Sequence, residues 1–177
     1  MTRRQHIATF WALFVVTTLV YAVMVLWSLP KISEAASGLA PFDMRPIGYS
    51  LDEATAFLTA LTEEGRSFYL STQHRLDLVY PPLLALTLAL GLWIMAPVRA
   101  VILLLALVAV PLLAMIADLA ENWFVSWMLK TPPQALSEDL VAMASAATFV
   151  KSMLTTVAMS LLLLFTAWWG WRKWRRI

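Results

Sequence analysis

The chain is 177 residues long, 61% hydrophobic and only 14% charged, with a mean hydropathy of +0.75. A soluble domain is about half apolar and about a quarter charged, so this composition excludes a water-facing globule. The lack of cysteine removes disulfides, thiolate metal sites and thiol catalysis, and the net charge of +2 resolves below into membrane topology rather than a nucleic-acid surface.

A spanning helix needs roughly 20 apolar residues to cross about 30 Å of hydrocarbon. Residues 7–29 carry no charge and end at Pro30 and Lys31, which predicts the first span. It follows Arg3 and Arg4 as a signal peptide would, but its apolar run is too long and Leu-Pro-Lys replaces a small-residue cleavage site. A retained helix is the expectation.

Residues 31–76 are the one sizeable hydrophilic segment. Residues 31–47, with Gly38, Pro41 and Pro46, read as an irregular loop. Ser50 and Glu53 then form a capping-box pattern. Leu51, Ala54, Leu58 and Leu61 recur at helical spacing, and Gly65 is a natural C-terminal stop. An outer amphipathic helix of about 14 residues is expected, as a lid docked on the bundle.

Further helix leads into the second span, residues 78–98, where Pro81-Pro82 should free the carbonyls of Asp77 and Leu78 and kink the helix. Those carbonyls need water, a side chain or a ligand. The third span covers residues 100–127 and the fourth residues 140–171, so the fold expected is an all-α, integral membrane four-helix bundle, one membrane domain over residues 1–177. The small residues Ala142, Ala144, Ser145, Ala146 and Ala147 should let the fourth helix pack closely.

Orientation follows from lysine and arginine. With both termini and Arg99 on one side, that side holds Arg3, Arg4, Arg99, Arg172, Lys173, Arg175 and Arg176 and no acid, a charge of +7; the other holds −5. Both termini are expected to be cytoplasmic, in a bacterial inner membrane given the Ala- and Leu-rich composition. Tryptophans such as Trp11, Trp93, Trp27 and Trp127 fall at the ends of spans, at headgroup level.

Counting from the cytoplasmic basic anchors, Asp77, Asp118 and Lys151 each lie about 28 to 33 Å away along their helices. They therefore share one layer at the outer edge of the hydrocarbon, joined by Glu121 and Asn122 on the face of Asp118. Lys151 should pair with Asp118 or Asp77, and Arg66, Arg75 and Tyr69 are candidates to complete the layer. It can be a structural clasp, a ligand pocket open towards the outer leaflet, or part of an ion path. The inner two-thirds of the spans offer only Thr17, Thr18, Tyr21, Thr87, Thr155, Thr156, Ser160 and Thr166 as polar groups, which argues against a water-filled pore.

The two histidines, His6 and His74, lie on opposite sides of the expected topology, and no phosphate loop or nucleophile elbow is present. No metal or cofactor is implied, and no nucleic-acid partner. The expected partners are the bilayer, a lipid or small amphiphile, and a membrane-protein partner.

Gly48-Tyr49-Ser50, Gly65-Arg66-x-x-Tyr69, Asp77 and Pro81, with Asp118-x-x-Glu121-Asn122 and Ala147-Thr148-x-x-Lys151, resemble a family of small bacterial four-helix integral membrane proteins. The resemblance covers residues 48–165 and brings no activity with it. A fainter similarity is to the emopamil-binding-type sterol isomerases, which also place acids inside a helical bundle; the histidine expected within a span is missing here. Function stays open between a structural or accessory protein that binds an amphiphile or partner, an enzyme on a lipid-soluble substrate using Asp77 or Asp118 as acid or base, and a transporter. A cavity at the polar layer favours binding or catalysis; direct pairing without a void favours a clasp.

Overall fold

The computed structural model describes residues 2–98 and 100–175; the anchors Arg99 and Arg176 lie outside the described residues. The described residues form five principal helices: α1 (Arg3–Ala35), α2 (Leu51–Ala60), α3 (Glu63–Met95), α4 (Val101–Lys130) and α5 (Glu138–Trp174). All but α2 are long and apolar enough to cross a bilayer, and the all-α bundle predicted from the sequence is what forms.

Helix α1 does not stop at Pro30. A single π turn, Met24–Ser28, precedes the proline, and the helix resumes through Ala35. Proline lacks a donor and crowds the carbonyl one turn back; the wider turn absorbs both problems. The helix ends where Gly38, at φ +85°, donates to the Ser33 carbonyl at 2.8 Å. The expected irregular loop thus starts only after Ala35, and it contains one 3-10 turn, Phe42–Met44.

Helix α2 is shorter than expected, 10 residues rather than about 14. Its capping box is present, with Ser50 and Glu53 satisfying each other's backbone donors. Gly65 is not its stop. It sits in the first turn of α3, whose N-cap Thr62 accepts from the Gly65 N–H at 3.1 Å. Its role is contact: a Cβ there would lie 2.5 Å from the Ala35 Cβ, so only glycine lets α3 start against the end of α1. Phe57 and Leu58 of α2 bury against Val125, Met128 and Leu129 of α4 and Val141 and Ala144 of α5. The amphipathic helix is therefore a docked lid. We call this the lid end of the bundle, and the opposite one the terminal end.

The four long helices do not enclose one another evenly. Helix α4 packs along α3 and α5, and α3 also meets α5, whereas α1 packs chiefly on α3. Helices α1 and α5 consequently stand as two walls in front of α3. They converge at Gly91 of α3, where an added Cβ would meet Phe10 of α1 at 2.9 Å and Leu162 of α5 at 3.0 Å.

Candidate functional site: a charged layer above a cleft

At the lid end the centre of the layer is Lys151 on α5. Its ammonium pairs with Glu121, with Asp118 at 3.1 Å and with Asp43 at 3.9 Å. Glu121 and Asp118 are three residues apart on α4, so one helical face presents both to Lys151. Glu121 is fully buried, and its other oxygen accepts from the Thr148 hydroxyl at 2.7 Å. Burial of that carboxylate is tolerable because every strong partner is present at once.

Asp43 joins the layer from outside the spans. The 3-10 turn Phe42–Met44 delivers it, with Phe42 buried against Tyr49 and Phe57. Tyr69 donates to Asp43 at 2.5 Å. Arg45 fastens the same loop by donating twice to the Ala40 carbonyl. Gly48, at φ +88°, brings the loop onto Ser145, whose hydroxyl accepts from the Tyr49 N–H at 2.8 Å. The Tyr49 hydroxyl is buried without a hydrogen-bond partner among the described residues, and burial with the nearby Glu121 charge pushes its pKa well above the ordinary phenol value.

Asp77 occupies a different position. Of the two alternative partners expected for Lys151, Asp118 is the one that pairs with it; Asp77 makes no ion pair among the described residues. Gln73 donates to its Oδ1 at 2.7 Å, and Ser28 donates to the Gln73 amide oxygen at 2.6 Å. A second π turn, Tyr69–Gln73, places Tyr69 and Gln73 inward, facing the π turn of α1. Asn122 does not touch the carboxylate: its amide donates at 2.8 Å to the Asp77 backbone carbonyl, the group whose helical donor Pro81 replaces. Helix α3 passes through both prolines unbroken.

Two candidates leave the layer. Arg75 is exposed and has no ion pair among the described residues, because its position on α3 faces away from the bundle. Arg66 turns to the lid seam instead, donating to the carbonyls of Leu129 at 2.5 Å and Leu58 at 3.0 Å and so tying α2 to the end of α4. His74 reaches Ser126 at 3.2 Å. Asp43 and Gln73 are the residues that sequence reasoning missed. Asp43 carries one usable signal, an acid followed by Met-Arg-Pro between two prolines in a chain short of charge; Gln73 carries none, since only the π turn brings it inward.

Between α1 and α5, backed by α3, lies a half-open cavity of about 720 Å³. Its polar end is formed by Asp43, Asp77, Asp118 and Lys151, and its walls include Tyr21, Tyr80, Thr17, Thr87 and Thr155. Apolar residues continue to Phe10, Leu162 and Leu163. From Asp77 to Leu88 it follows α3 for about 16 Å, and from Lys151 to Leu163 it follows α5 for about 18 Å, at 1.5 Å per residue. The Thr87 hydroxyl donates to the Leu83 carbonyl and accepts from Thr17 at 2.9 Å, which satisfies two polar groups at mid-depth. This differs from the expected shape. Asp43 and Pro46 bound the lid end, while among the described residues no helix covers the side between α1 and α5, so the opening is lateral and the cleft runs far down the bundle.

Comparison with protein-family models, curated proteins and solved structures finds no match in any of the three.

Proposed function

We propose that the protein binds a membrane-dissolved amphiphile in the cleft between α1 and α5, admitting it sideways from the bilayer with its polar end at the charged layer. The observation that carries this reading is the graded lining of one cavity, carboxylates and an ammonium at one end and aromatic and aliphatic side chains below. A clasp alone would need only the paired half of the layer, Lys151 with Glu121, Asp118 and Asp43. The unpaired half, Asp77, faces space.

The volume falls within the range of about 300–1,000 Å³ usual for small-molecule sites. The charge asymmetry of +7 against −5 supports cytoplasmic termini and a lid on the outer face, and the Ala- and Leu-rich composition supports a bacterial inner membrane. The enzymatic reading has one observation in its favour: Asp77 is held through one oxygen by Gln73 while the other has no hydrogen-bond partner among the described residues, an arrangement suited to proton transfer.

The test is mass spectrometry of lipid-soluble molecules retained by protein extracted into native nanodiscs. Wild type should carry a molecule that Thr155→Trp, which fills the cleft, does not. Identical extracts from the two proteins would remove the reading. A retained molecule converted on incubation would favour the enzyme.

A further inference from the structure

We infer that the polar end of the amphiphile is a cation, an alkylammonium group seated against Asp77; this rests on the amphiphile reading above. Four carboxylates, Asp43, Asp77, Asp118 and Glu121, gather where the described residues supply one cation, Lys151. The ammonium of Lys151 is already shared among three of them. Asp77 is the fourth. It is 5% exposed, and what exposure it has opens on the cavity it lines.

Asp77 is held but has no cation beside it among the described residues. The amide of Gln73, itself fixed by Ser28, fixes Oδ1 with a neutral donor and leaves Oδ2 without a hydrogen-bond partner among the described residues. A carboxylate at this depth without a counter-charge is costly, and a ligand that brings the charge relieves the cost. An anionic head would meet a wall already rich in carboxylates, and a neutral head would leave the excess in place.

The neighbouring surface fits the same ligand. Tyr80 lies one turn beyond Asp77 and stacks on Tyr21 across the cleft, with ring centroids 5.7 Å apart. Aromatic faces beside a carboxylate are the combination that holds ammonium groups. Below them Leu84, Leu88 and Met159 line a path for the tail.

The experiment uses full-length protein in nanodiscs and four probes with one tail and different heads: dodecylamine, dodecyltrimethylammonium, dodecanol and laurate. Affinity is measured for wild type, Thr155→Trp and Asp77→Asn. Both cationic probes should bind wild type at least about tenfold more tightly than dodecanol, a preference of the size expected for a charge-assisted contact. Asp77→Asn should erase that preference, so that the cationic probes bind no more tightly than dodecanol. The ranking of heads in wild type tests the inference even where the variant does not fold. Dodecanol binding as tightly as the amines, or laurate binding most tightly, would overturn the cationic head and leave the amphiphile reading standing. If no probe distinguishes wild type from Thr155→Trp, both fall.

Discussion

Asn122 on α4 supplies from a neighbouring helix the hydrogen bond that Pro81 removes from α3. Its amide donates to the Asp77 carbonyl at 2.8 Å, and at 3% exposure it has no water to compete with. The pair explains how a proline can stand in an apolar span without an orphaned carbonyl, and it locks the α3–α4 register at the depth where Asp77 must face the cleft.

Removing Asn122 should therefore be costly only while Pro81 is present. Asn122→Ala is expected to lower stability by about 1–3 kcal/mol, the penalty of one buried unsatisfied acceptor. Pro81→Ala restores an N–H at position 81, and in that background the cost of Asn122→Ala should shrink. Thermal unfolding of the four proteins of this double-mutant cycle measures the coupling.

Lys151 holds three carboxylates, so its loss should exceed the loss of any one of them. Lys151→Met leaves Glu121 buried beside Asp118 and Asp43 with no cation, and a cost of about 3–5 kcal/mol is expected. Glu121→Gln keeps an acceptor for Thr148 and should cost less. Exchanging Asp118 and Lys151 should recover part of the stability lost in each single neutralisation. Unfolding in mild detergent ranks the variants; equal stability for all of them would remove the clasp.

Gly65 and Ala35 should trade places energetically. Gly65→Ala puts a methyl group 2.5 Å from the Ala35 Cβ, both on helical backbone that cannot step aside. Overpacking of this kind costs about 1–3 kcal/mol. Ala35→Gly should restore most of the loss in the double variant, which a comparison of unfolding temperatures would show.

The lid should loosen in acid at its own N-terminus. Hydrogen bonds from Ser50 hold the exposed Glu53 carboxyl below its ordinary value of 4.5, with Arg45 adding a smaller effect. A depressed folded pKa means that the contribution is complete above the ordinary value and is lost as the pH falls through the folded one. Protection of the amides in the first turn of α2, taken relative to their intrinsic exchange rate at each pH, should fall below about pH 4.5. Glu53→Ala should show the lower protection already at neutral pH and lose that dependence.

The sequence by itself determined the four spans, their charge asymmetry, the capped amphipathic helix and the common depth of Asp77, Asp118, Glu121 and Lys151. Each of these follows from local quantities: hydropathy, residue spacing and a helical rise of 1.5 Å. It also showed that the Asp77 carbonyl needs a donor, since the absence of an N–H on Pro81 is a property of the residue itself. Which donor answers depended on how α4 sits against α3.

Only the tertiary structure decided the rest. Asp43 comes from a loop whose place is set by Phe42 packing under the lid and by the left-handed Gly48 docking on Ser145, the second a contact between residues almost a hundred positions apart. Gln73 faces inward because a π turn shifts the helical phase by one residue, which a constant period of 3.6 does not anticipate. The lateral cleft exists because α1 packs on α3 rather than on α5, and in a bilayer that choice is made by van der Waals fit and a few hydrogen bonds, such as Thr17 to Thr87, rather than by an apolar pattern that all four helices share.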